Sequence, residues 1–74
     1  MLSPDVTYRL PDGTRVRAVE PLIGPWRLDL EDGTPAYLYD AVLGAWRRLV
    51  YDAAIDGYAV LPCDLVDEDL KEPT

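Results

Sequence analysis

Short stretches of alternating apolar and polar residues run through the chain, separated by turn-forming residues. Val6-Thr7-Tyr8-Arg9-Leu10 alternates, as a strand with one buried face does, and so does Trp26-Arg27-Leu28-Asp29-Leu30. Residues 14–19 and 58–61 are short valine-containing segments of the same kind. Between them stand Pro11-Asp12-Gly13, Gly24-Pro25, Glu31-Asp32-Gly33 and Asp56-Gly57, combinations that turn a chain. The five glycines, at positions 13, 24, 33, 44 and 57, recur every nine to thirteen residues. Pro11, Pro21, Pro25, Pro35 and Pro62 fall at or near predicted strand ends, where a missing amide does little harm. This rhythm predicts a mainly β domain of five or six short antiparallel strands, as a small barrel or meander. In architecture it resembles the SH3-like barrels, a likeness that carries no function.

One segment supports two readings. Leu38-Tyr39-Asp40-Ala41-Val42-Leu43-Gly44-Ala45-Trp46 matches, twelve residues on, Val50-Tyr51-Asp52-Ala53-Ala54-Ile55-Asp56-Gly57-Tyr58. Read this way, the two copies are similar hairpin turns. Yet the apolar positions 39, 42, 43, 46, 49, 50 and 53 also fill one band of a helical wheel. An α+β fold with a helix at about 40–54, capped by Asp40, is therefore the alternative. Near the end, residues 64–70 read as a short helical turn begun by Asp64, with acids in its first turn. Glu72-Pro73-Thr74 is expected to fray.

Length then limits the size of the core. A chain of 74 residues forms one small domain. It buries only about 60–65% of the surface its unfolded form exposes. Trp26 and Trp46 are the expected core aromatics. The division read from the sequence is a β domain over 1–62 and an acidic turn and tail over 63–74.

The net charge of −7 comes from fourteen acids and seven bases. Residues 64–74 hold five acids and Lys71, a net of −4, which leaves −3 for the first 63 residues and all six arginines. Nucleic acid is thus a disfavoured partner, since phosphate affinity rests on clustered Lys and Arg. Arg15 and Arg17 would share a strand face, with Arg9 beside them across a hairpin, and so form a candidate anion-binding group.

There is no histidine and a single cysteine, Cys63, which excludes an intrachain disulfide and a Cys–His pair and leaves no set of zinc ligands. No phosphate loop, nucleophile elbow or metalloprotease motif is present. The sequence therefore predicts a non-enzymatic protein with no metal and no cofactor. Scarce cysteine, a start without a signal-peptide pattern and no long apolar run predict a cytoplasmic chain away from membranes.

Five tyrosines, two tryptophans and no phenylalanine suit a binding surface, because Tyr and Trp are apolar bodies with polar tips. The first functional reading is a small acidic protein-binding module, a subunit of a larger assembly. Its candidate surface is Tyr37 and Tyr39 with Asp67, Glu68 and Asp69. The alternatives are a phage-type anti-defence inhibitor (anti-CRISPR, for example) that blocks a basic groove by mimicking DNA, and a single-stranded nucleic-acid-binding barrel using Arg9, Arg15 and Arg17. Self-association through exposed strand edges is a further expectation.

Overall fold

A computed structural model describes residues 2–72. Six antiparallel strands follow one another in a single sheet: β1 (Thr7–Arg9), β2 (Arg15–Val19), β3 (Arg27–Leu30), β4 (Pro35–Asp40), β5 (Ala45–Asp52) and β6 (Gly57–Pro62). Each pairs with the next in sequence, so the topology is a plain meander. The sheet curves around its core without closing into a barrel. A 3-10 turn at Asp67–Asp69 is the helical element among the described residues. No helix there is long and apolar enough to cross a membrane.

The helical alternative over 40–54 is overturned. Residues 41–44 form a turn, and most of the remainder is β5, the longest strand. It pairs with β4 from Asp40↔Ala45 to Tyr37↔Arg48 and with β6 from Arg47↔Pro62 to Asp52↔Gly57. The helix-like spacing misleads because Val42 and Leu43 are exposed in the turn and Val50 is exposed on the strand. The adjacent arginines that spoil the alternation point to opposite faces. Arg47 binds Asp40 on the outer face at 2.7 Å, and Arg48 lies 5.8 Å from the ring centroid of Tyr37 on the inner face.

The turns repeat a local chemistry. Leu10-Pro11-Asp12-Gly13-Thr14 and Leu30-Glu31-Asp32-Gly33-Thr34 are closed by the same bonds. The leucine N–H donates to the threonine carbonyl at 2.8 Å, and the glycine N–H donates to the leucine carbonyl at 2.9 Å. The aspartate Oδ1 accepts from the threonine N–H at 2.9 and 2.8 Å. Gly13 and Gly33 have φ of 91° and 89°, the left-handed conformation that such three-residue hairpins place on glycine. The two copies of the Tyr-Asp repeat are similar turns, as read from the sequence. Asp40 Oδ1 accepts from Val42 N–H and Asp52 Oδ1 from Ala54 N–H, both at 2.9 Å.

The buried core is Tyr8, Leu10, Val16, Ala18, Leu28, Trp46 and Leu70. Trp46 is central, as expected, and Trp26 packs at the core's margin. Strand β2 shows the alternation most cleanly, with Val16 and Ala18 inward and Arg15 and Arg17 exposed. Residues 63–72 run back across the inner face. Trp46 N–H donates to the Leu65 carbonyl, and the Cys63 thiol donates to the Trp46 carbonyl, each at 2.9 Å. Leu70 is buried, and Lys71 exchanges two backbone hydrogen bonds with Arg9 on β1, at 2.6 and 3.1 Å. The helical turn begins at Val66 and not at Asp64. Its start is held by Asp69, whose carboxylate accepts the Val66 N–H at 3.1 Å. Residues 73 and 74 of the expected frayed end lie outside the described residues.

Gly33 and Gly57 differ in what a side chain would meet there. Gly33→Ala meets no neighbouring atom but forces a side chain into positive φ. It should cost about 1 kcal/mol and lower the melting temperature by roughly 4–8 °C. Gly57→Ala, in ordinary backbone with only the Ile55 carbonyl at 3.8 Å from the new Cβ, should leave the melting temperature unchanged or slightly raised. Thermal unfolding followed by circular dichroism distinguishes the two.

Candidate functional site

The inner face holds two depressions. The first, of about 310 Å³, lies where β2 and β4 end and β3 and β5 begin. Leu2, Glu20, Trp26, Tyr39, Trp46 and Asp67 line it. The meander places these side chains together. Tyr39 and Trp46 are cross-strand partners, their rings edge to face with centroids 5.1 Å apart. Trp26 is held beside them by a 2.9 Å bond from Tyr39 N–H to its carbonyl. The returning C-terminal segment supplies Asp67, whose Oδ1 accepts the indole N–H of Trp46 at 2.8 Å. The second depression lies at the other end of the inner face, among Tyr37, Arg48, Val50 and the two Asp-Gly turns.

The residues predicted as a protein-binding surface are thus divided. Tyr39 and Asp67 meet at Trp46 in the first cavity. Tyr37 is on the same face but belongs to the second depression, against Arg48. Both tyrosines are half-buried against the core. Glu68 is exposed, and Asp69 is occupied at the start of the 3-10 turn.

The candidate anion-binding residues do come together. Arg9 and Arg15 are direct partners across β1 and β2, and Arg17 is next on the same outer face. All three are exposed, and none makes an ion pair within the described residues. Like charges directly opposite on a sheet are destabilising by a fraction of a kcal/mol, ~0.2–1. Asp29, opposite Arg17 across β2 and β3, is taken by Arg27 through two bonds of 2.6 and 3.0 Å and is 4% exposed.

Nothing in the local pattern marks the β5–β6 hairpin as a surface. Past the end of its pairing with β4 at Arg48, β5 runs on paired with β6 alone. Val50 and Leu61 are exposed on the inner face, and Tyr51, Tyr58 and Val60 on the outer. Tyr51 and Tyr58 stack edge to face at 5.8 Å. The Tyr51 hydroxyl donates to Asp56 at 2.9 Å, and that carboxylate raises the phenol's pKa above its ordinary value of 10.0. Ile55, 64% exposed, lies in the connecting turn. Trp26, Trp46 and Glu20 of the cavity were likewise not singled out as site residues. The available signal was the surplus of Trp and Tyr over Phe.

Comparison of the chain with protein-family models, with curated proteins and with solved structures finds no match.

Three turn carboxylates make the structure sensitive to acid. Asp40 is held below its ordinary 3.8 by Arg47 and then by the Leu43 and Val42 amides. Asp32 is lowered by the Thr34 side chain and amide, and Asp12 by the Thr14 amide and side chain. A carboxylate whose folded pKa is depressed stabilises the fold above its unfolded pKa, and the contribution is lost as pH falls through the folded pKa. The urea midpoint should therefore drop as pH falls below about 5 and on through the depressed folded pKa values. In a variant with Asp12→Asn, Asp32→Asn and Asp40→Asn, which keeps the turn acceptors but cannot titrate, the drop should be smaller.

Proposed function

We propose that this chain is a non-enzymatic protein-binding module that engages its partner through the β5–β6 hairpin. The observation that carries the reading is the exposure of Val50, Tyr51, Tyr58, Val60 and Leu61 on the two paired strands of the last hairpin. A small soluble domain rarely keeps that many large apolar side chains in water on one element without using them. Tyrosine pairs on a rigid ladder are well suited to contact, since they cover area at little cost in side-chain entropy. Strand β6 is also a sheet edge, so its outward backbone groups are open to pairing with an extended segment.

The side-chain inventory supports a role without catalysis. The chain has no histidine, and its single thiol donates to the Trp46 carbonyl. The buried carboxylate Asp29 is tied to Arg27 by two bonds. The unpaired Arg9, Arg15 and Arg17 favour an acidic patch on the partner as a second area of contact.

Site-specific photo-crosslinking in cells that make the protein tests the reading. A photoreactive residue at Val60 should give one product of discrete mass, and the same residue at Thr34, in an exposed turn, should give none. Tyr58→Ser should remove the product. The same experiment on the purified chain identifies a second copy as the partner if the 8.3 kDa band doubles. No product from Val60, or the same products from both positions, would overturn the proposal.

A further inference from the structure

The first cavity has a composition that selects for charge. Leu2, Trp26 and Tyr39 line it over the buried Trp46, Glu20 and Asp67 complete the lining, and no Lys or Arg among the described residues takes part. Aromatic faces attract a cation through their quadrupole, more strongly where the site is shielded from water. Carboxylates beside them add Coulombic attraction and repel anions. A neutral apolar guest would use the rings but gain nothing from the two acids.

The geometry is built and not incidental. Tyr39 and Trp46 are locked in register across β4 and β5, and the indole N–H of Trp46 fixes Asp67 Oδ1 at 2.8 Å. Asp67 Oδ2 accepts no hydrogen bond from the described residues. Trp26 and Tyr39 are half-buried, so part of each ring remains open to a guest. Glu20 is exposed at the edge of the cavity. The volume of about 310 Å³ is at the small end for ligand sites, where a compact head group fits and a fused-ring cofactor does not.

We propose that this cavity binds a methylated ammonium group, with the half-open rings of Trp26 and Tyr39 as the walls, the buried Trp46 beneath them and Asp67 and Glu20 as the counter-charges. Methylation favours binding in such a site because it spreads the charge and lowers the cost of leaving water. The group can belong to a free quaternary amine or to a methylated lysine side chain, and both present the same chemistry. The cavity is at the start of β5 and the proposed docking hairpin at its far end, so this assignment does not rest on the hairpin.

The test is a titration of the isotope-labelled full chain at low salt, followed by the two indole N–H resonances. Choline chloride and trimethyllysine are the probes, and 3,3-dimethylbutanol is the uncharged isostere of choline. Saturable shifts of both indoles with choline or trimethyllysine, at least tenfold weaker with the isostere, are expected. Choline binding alone assigns a free amine, and tighter binding of a trimethyllysine peptide assigns a protein side chain. Glu20→Gln, at an exposed position that folding does not depend on, should weaken binding several-fold, and added salt should do the same. Trp26→Leu should abolish binding while the remaining resonances stay dispersed. Absence of saturation at tens of millimolar, equal shifts with the isostere, or no effect of Glu20→Gln would overturn the proposal.

Discussion

Trp46 is the side chain on which the rest of the structure turns. Its ring is 2% exposed at the centre of the core and meets Tyr39 edge to face. Its indole N–H, backbone N–H and backbone carbonyl bind Asp67, Leu65 and Cys63, all from the returning segment. One residue of β5 thus ties the middle of the sheet to the C-terminal strap. The strap in turn brings Leu70 into the core and reaches β1 through Lys71. A six-stranded meander has two free edges and one half-covered face, and a chain this small has little apolar area to spare. Folding the last ten described residues over the open face is how this sequence completes its core.

The same arrangement explains the uneven distribution of exposed apolar surface. The strap covers the start of β5 and leaves its end bare. β4 pairs with β5 only as far as Arg48, and past that point Val50, Tyr51, Tyr58 and Val60 are exposed, with Val50 at the edge of the second depression. The first cavity is the space left where the strap crosses the curved sheet, which is why Asp67 and two tryptophans meet there. The exposed hairpin end and the cavity are two consequences of covering one end of a long hairpin.

Much of the fold was legible in the sequence. The Asp-Gly turns marked the hairpins because positive φ and an aspartate side chain accepting an amide are local requirements. The alternation in β2 revealed its inward face for the same reason. Strand β5 was ambiguous because Arg47 and Arg48 find partners on opposite faces only once β4 is beside them. The strap was harder to read. Its acids suggested a solvated end, while Leu65 and Leu70, the residues that pack, stand five apart, a spacing that matches neither one helical face nor one strand face. Of the candidate site, Tyr39 and Asp67 were named, yet nothing local linked them. Residues 2, 20, 26, 39, 46 and 67 become neighbours only through sheet curvature and the strap. The arginine group was legible because a two-strand hairpin fixes Arg9 opposite Arg15.

Hydrogen–deuterium exchange resolved to single amides tests the central claim, that the strap is part of the cooperative core and the hairpin end is not. The Trp46 and Lys71 amides should exchange only through global unfolding, with the same protection as Val16 on β2. The amides of Val50 and Ala59, a cross-strand pair near the hairpin end, should exchange orders of magnitude faster, through local opening. If Lys71 and Trp46 exchanged as fast as the hairpin end while Val16 stayed protected, the strap would be an appendage and the account would be wrong.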